Sequence, residues 1–169
     1  MYTNIESLRP FGKALLDYYG GQDDAKNMII REDGNKADLP ASIFFSDPES
    51  INPGDKVALS KCKGKILDVG AGAGRHSLIL QERGFNVYAM EIIPEAVEVL
   101  KSQKILNIIH SDILDLNEGE FNTILLLGHG LGICQDLNGL EKILVHLKKI
   151  LAPGGCLICD SNDVSITED

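Results

Sequence analysis

No apolar run in this chain approaches the length needed to cross a bilayer. The first residues, interrupted by Glu6, Arg9 and Lys13, have no signal-peptide core. A cytoplasmic protein without a membrane partner is expected. Positive charge is also short. Sixteen Lys and Arg stand against 25 Asp and Glu, a formal net charge of −9, so no electrostatic grip on nucleic acid is expected. The lysine clusters Lys61-Cys62-Lys63-Gly64-Lys65 and Lys148-Lys149 read as solvated ends of elements. Cysteine is sparse: Cys62, Cys134, Cys156 and Cys159. Cys156 and Cys159 have Cys-x-x-Cys spacing, but in a strand positions three apart point to opposite faces. They cannot easily share a metal or a disulfide, so buried reduced thiols and no metal site are expected. Repeats and low-complexity segments are absent. What remains, 169 residues of which 44% are hydrophobic, suits one α/β domain with a proper core.

The informative segment is Lys65-Ile66-Leu67-Asp68-Val69-Gly70-Ala71-Gly72-Ala73-Gly74-Arg75-His76. A β-prone stretch ends at Asp68 and breaks into three alternating glycines, and a helix-like segment follows through Gly84. Strand, glycine loop and helix let backbone amides and a helix N-terminus approach a ligand closely. Glycines also allow positive φ where the chain reverses. Two common ligands are excluded by spacing. A dinucleotide fingerprint needs Gly-x-Gly-x-x-Gly, and its third position falls on Arg75 or Ser77. A P-loop needs Lys followed by Ser or Thr after its last glycine, and that pair is missing.

Onward from Lys65, short β-like runs alternate with helical ones, which predicts a parallel sheet covered by helices. Strands are expected over Lys65–Val69, Phe85–Glu91, Ile105–His110, Phe121–Leu127 and Cys156–Asp160. Pro94 opens a helix whose apolar positions are Ala96, Val97, Val99 and Leu100. Asn138 and Glu141 suggest a capping pair for a later helix with Leu140, Ile143, Leu144, Leu147 and Leu151 on one face. Pro153-Gly154-Gly155 is expected to stop it. Residues 1 to 60 differ in pattern and form a separate segment before a main domain over 61 to 169. Arg9–Tyr19 reads as a helix closed by Gly20-Gly21, Met28–Arg31 as a strand, and Asp33-Gly34-Asn35 as a turn. Pro40–Pro53 reads as a loop bearing Phe44 and Phe45, which either pack on the main core or form a lid over the substrate side.

Asp-Val-Gly-Ala-Gly-Ala-Gly, with Glu91 about twenty residues on, resembles motif I of the class I S-adenosylmethionine-dependent methyltransferases. The resemblance covers about Lys61 to Asp160 and includes Leu151-Ala152-Pro153-Gly154-Gly155 before the last strand. It implies a doubly wound, mostly parallel five-stranded sheet in order 3-2-1-4-5, with helices on both faces and an N-terminal helical or lid segment. The cofactor implied is S-adenosylmethionine, leaving as S-adenosylhomocysteine. On this resemblance Gly70, Ala71, Gly72 and Gly74 are the close-approach positions, and Asp68, held by backbone donors, orders the loop. Glu91 accepts both ribose hydroxyls, with Ile92 beside it. Asp112 accepts from the adenine amino group and Ile113 packs on the ring, although a loop acid capping a helix is the alternative for Asp112. Arg75 and His76 stand where the methionyl carboxylate is met. Gly128 passes close to the cofactor. His129 is the candidate general base, or else a loop histidine bonded to its neighbours.

One departure concerns the acceptor. Relatives that methylate nucleic-acid bases carry Asn/Asp-Pro-Pro-aromatic after the fourth strand, and this chain has Leu127-Gly128-His129-Gly130-Leu131-Gly132 there. A small-molecule acceptor is expected. A second departure is length: family members continue past the fifth strand with a helix and a β-hairpin, whereas this sequence stops at Asp169. A fragment or a reduced domain is expected, with a bare sheet edge through which a homodimer could form.

Overall fold

A computed structural model of the chain describes residues 5–30, 33–45 and 51–161. The expected first helix is present as α1 (Arg9–Tyr19), and Gly20 and Gly21 close it by donating to the carbonyls of Leu16 and Tyr18. An antiparallel hairpin of β1 (Lys26–Ile30) and β2 (Lys36–Pro40) follows, paired from Lys26↔Pro40 to Ile30↔Lys36. The expected strand end at Arg31 lies outside the described residues. The segment predicted as loop carries a 3-10 turn and ends where an unpredicted helix begins. A 3-10 turn spans Ala41–Phe45, and α2 spans Pro53–Ser60, capped by the Asn52 side chain on the Asp55 amide; residues 46–50 lie outside the description. Pro53 fits the first helical turn because its missing N–H would have no partner there.

The main sheet contains β3 (Lys65–Val69), β4 (Asn86–Glu91), β5 (Asn107–His110), β6 (Phe121–Leu126) and β7 (Leu151–Cys159). Their spatial order is β5-β4-β3-β6-β7, which is 3-2-1-4-5 along the main domain, and all pairs are parallel. Parallel pairing is what the alternation predicts, and the doubly wound order is what the family resemblance implies. In β3, Ile66 through Val69 are all buried, as a central strand covered on both faces requires. Alternation along it separates two cores. Ile66 packs with Val87, Leu125, Ala58 and Leu59 of α2, and Ile79 and Leu80 of α3 (Arg75–Glu82). Leu67 and Val69 pack on the other face with Ile143, Leu147 and Ile150 of α5 (Leu137–Ile150). Between them in sequence, α4 (Pro94–Ser102) buries Ala96, Val97, Val99 and Leu100 as expected. No helix of the described residues is long and apolar enough to cross a membrane.

Three local expectations are corrected. Helix α5 is capped by Asp136, whose carboxylate accepts from the Gly139 amide at 2.7 Å; Asn138 lies inside the first turn. Pro153-Gly154-Gly155 does not stop α5, because the chain is already extended at Leu151. Leu151 pairs with Phe121 and Cys156 with Thr123, so the tripeptide sits in a bulge, where the missing Pro N–H breaks no ladder bond. The thiols are all free, but only Cys62 and Cys134 are buried. Cys156 is half-buried and Cys159 exposed, since β7 has a neighbour on one side only among the described strands. Burial pushes the Cys62 thiol up to about 11, which keeps it protonated and unreactive.

The N-terminal elements sit on the main domain. A Cβ at Gly12 would lie 2.5 Å from Ile93 Cγ2, so glycine lets α1 close onto the start of α4. Arg9 pairs with Glu95 at 2.6 Å, and Leu15 and Ala41 share a core with Ala73, Ile93 and Ala96.

Candidate active site

A cavity of about 270 Å³, near the lower end for small-molecule sites, opens at the carboxyl ends of β3, β4 and β6, where ligands of open α/β sheets bind. Its walls bring together Gly70, Ala71, Gly72, Arg75, Glu91, Ile92, Asp112, Ile113, Gly128 and His129. Asp68 and Gly74, also expected there, are not on the wall.

The loop after β3 owes its shape to internal bonds. Gly70 and Ala71 both donate to the Met90 carbonyl, at 2.9 and 3.0 Å, and Gly74 donates to Ala71. The Gly72 amide donates to Glu91 Oε2 at 2.8 Å. These four N–H groups are therefore committed within the protein, and the loop offers a ligand its missing side chains instead. Gly70 and Gly72 have φ of 70° and 56°, and a Cβ on either would meet nothing within 4 Å. Both hydrogens face open cavity. Gly128, φ 66°, does the same from the end of β6.

Gly74 serves packing. With φ 88° it begins α3, and a Cβ there would stand 2.6 Å from Leu100 Cδ2, deep in the α3–α4 contact. Gly74→Ala should cost about 2 kcal/mol of stability from strain plus overpacking. Gly70→Ala, which meets only the backbone strain, should cost about 1 kcal/mol. Urea unfolding midpoints check the pair; equal losses would contradict this assignment. Asp68 is likewise internal. It is 2% exposed and its Oδ2 accepts from Ser77 Oγ at 2.7 Å, so a side chain of α3, not backbone donors, ties the strand end to the helix.

Glu91 is the best-defined polar group of the wall. It is 4% exposed, and its Oε1 accepts from the amides of Ile92 (2.7 Å) and Ile93 (3.0 Å), opposite the Gly72 bond. Burial raises its carboxyl above the usual range; the three amide bonds work against that shift and nearby Asp68 adds to it. Its Oε1 is filled by two amides, and Oε2, with one, keeps lone-pair capacity. Asp112 caps the 3-10 turn Ile113–Asp115 by accepting from Leu114 at 2.9 Å. It is half-buried and on the wall, so capping and ligand contact are compatible.

Arg75 departs most from expectation. Its Nη2 lies 3.0 Å from Asp55 Oδ2 on α2, and its Nη1 donates to the Ile43 carbonyl at 3.2 Å. His76 Nε2 is 3.2 Å from the same Asp55 oxygen. Asp55, 3% exposed, lies on α2 just past the segment that reads as loop, in a stretch with no motif to mark it.

His129 adopts φ 66°, uncommon for a residue with a side chain, and is exposed at the cavity. Asp160 accounts for the conformation. Just beyond β7, its Oδ2 accepts from the Gly128 amide at 2.8 Å and its Oδ1 from the His129 amide at 3.0 Å. Pairing across a 31-residue separation leaves no periodic signal. Asp160→Ala should release this turn at a cost of about 1–2 kcal/mol, with faster hydrogen exchange at residues 128–130. Unchanged exchange there would show that the turn holds itself. Among the described residues no group of His, Cys, Asp and Glu could hold a metal ion.

Residues 66–155 match a family model described as a methyltransferase domain. A crystal structure of an S-adenosylmethionine-dependent methyltransferase from Bacteroides fragilis, in complex with S-adenosyl-L-homocysteine, is 32% identical to this chain. It superposes with a TM-score of 0.87 over 95% of this chain and 68% of its own. A TehB-like methyltransferase from Corynebacterium glutamicum ATCC 13032 shares the fold at 21% identity, with a TM-score of 0.56 over 66% of this chain and 64% of its own. The Bacillus subtilis (strain 168) protein named Putative methyltransferase YqeM is 28% identical over 105 residues, which are 58% of this chain; this chain spans 42% of YqeM. Match, fold and cavity agree, and the chain belongs to the methyltransferase-domain family.

Proposed function

We propose that this chain binds S-adenosylmethionine and transfers its methyl group to a small-molecule acceptor. The observation that carries the reading is the Glu91 carboxylate, buried, fixed by three amides and locked onto Gly72 of the glycine loop. Its Oε2, with one amide bond, has a lone pair left for a ribose hydroxyl. The bare faces of Gly70, Gly72 and Gly128 leave room that a Cβ would fill, so the residues present fit an adenosine bearing an amino-acid tail. Ile92 and Ile113 supply apolar surface for the adenine, and Asp112 an acceptor for its amino group. When bound, the cofactor supplies a methyl on a positively charged sulfur, and the S–CH₃ bonding pair returns to sulfur as the acceptor lone pair bonds to carbon. The leaving group is already activated, so the protein's share is alignment and exclusion of water. His129 stands where it can take the acceptor's proton.

Titration calorimetry with S-adenosylmethionine, S-adenosylhomocysteine and NAD tests the reading. Binding of the first two and not the third is expected. Binding of NAD alone would sink it, and binding of the sulfur pair without methyl transfer to any acceptor would make the domain a non-catalytic module.

A further inference from the structure

We propose that the acceptor is an uncharged molecule with a flat apolar ring, held by Phe11 and Phe44; this rests on the methyltransferase reading of the same cavity. Subtracting the surface assigned to the cofactor (the glycine loop, Glu91-Ile92 and Asp112-Ile113) leaves a second wall. It consists of Leu8, Phe11 and Phe44 from the N-terminal segment, Arg75 and His76 from α3, and the turn past Gly128 (His129 and Gly130) with Ile133.

Two properties of that wall select the acceptor. Its apolar part is aromatic and set: Phe11 and Phe44 meet edge to face, with centroids 4.9 Å apart and planes at 88°. Both rings line the cavity, and edge-to-face or offset contact with an incoming ring is the geometry aromatic pairs favour. Its cation is spent. Arg75 is held by Asp55 at 3.0 Å and by the Ile43 carbonyl, next to Phe44, at 3.2 Å, and His76 lies against the same carboxylate. A carboxylate or phosphate on the acceptor would gain Arg75 only by drawing it from the buried Asp55 carboxylate, which is costly. The protein's net charge of −9 disfavours anionic acceptors at longer range as well. Arg75 thus acts as a positioning residue for the turn that carries Phe44, not as an anion receptor for the acceptor.

The test uses the intact chain loaded with S-adenosylhomocysteine and two matched probes, p-cresol and 4-hydroxybenzoate, which differ by a methyl and a carboxylate. Ligand-observed NMR titration should show p-cresol binding about tenfold or more tighter. Phe44→Ala should weaken p-cresol about fivefold or more and Phe44→Leu by less, with affinity for S-adenosylhomocysteine within about threefold of wild type. The leucine variant, close in volume, keeps the test usable where the alanine variant fails to fold. Equal or tighter binding of 4-hydroxybenzoate, binding of neither probe, or indifference of p-cresol to both variants would overturn the proposal. Failure of the wild-type protein to bind S-adenosylhomocysteine would instead overturn the methyltransferase reading beneath it.

Discussion

Replacing Glu91 with alanine should reduce affinity for S-adenosylhomocysteine by about 30- to 150-fold and lower stability by about 3 kcal/mol. Both losses follow from one geometry. The carboxylate accepts from Gly72, Ile92 and Ile93, so its removal leaves three amide donors in a site that is 4% exposed, and lets the glycine loop part from the end of β4. The affinity loss combines this disorder with loss of the ribose contact proposed for Oε2. Glu91→Gln sharpens the test. Its one amide oxygen can serve one side of the site, while its NH₂ must face a backbone N–H on the other, so an intermediate loss is expected despite equal size. The pH dependence carries a definite sign. The folded-state carboxyl titrates above its ordinary value of 4.5. The folded protein therefore holds a proton that the unfolded chain has released, and this group's contribution to stability falls as pH rises from about 4.5 through the raised value, then levels off. Wild type minus Glu91→Gln, measured by urea unfolding across that range, should show the same fall. A difference that grows with pH would mean that the amide bonds outweigh burial.

The features legible in the sequence were those written locally or periodically. A parallel sheet covered by helices follows from alternation of β-like and helical runs, its order 3-2-1-4-5 from the family resemblance, and α1 ends at Gly20-Gly21 as its residues indicate. Motif spacing and the family resemblance led to a cavity wall that holds eleven of the residues named for it, His76 among them. Misassigned features depend on what lies opposite in space. Gly74 has the same sequence setting as Gly70 and Gly72, but only the fold reveals that Leu100 stands where its Cβ would go. Asp160 reads as the end of a strand, and its role in bending Gly128-His129 needs β6 and β7 side by side. Pro153-Gly154-Gly155 punctuates equally well as a helix stop or a bulge, and Leu151 pairing with Phe121 decides for the bulge. Helix α2 was hidden because eight residues opening with Pro-Gly carry too little periodicity to stand out.

The hidden helix carries the second large effect. Asp55→Ala should lower stability by about 2–3 kcal/mol, or the thermal midpoint by roughly 4–10 °C. It strands two groups at once: the Arg75 guanidinium, 19% exposed, and the His76 ring, 10% exposed. Water can reach Arg75 in part, which places the estimate below the usual cost of breaking a fully buried pair. Hydrogen exchange should quicken over residues 41–45, because the Ile43 carbonyl shares the guanidinium. Removing both partners in Asp55→Ala/Arg75→Met should be milder than the sum of the single changes by about 1 kcal/mol or more. Additive losses would show that the two residues act independently. The same variants divide the two roles open to Arg75. As a strap between the cofactor loop and the Phe44 turn, Arg75→Met and Asp55→Ala should weaken S-adenosylhomocysteine binding equally and modestly. As a receptor for the methionyl carboxylate, Arg75→Met alone should weaken it about tenfold further, since Asp55→Ala leaves the cation in place and frees it to bind.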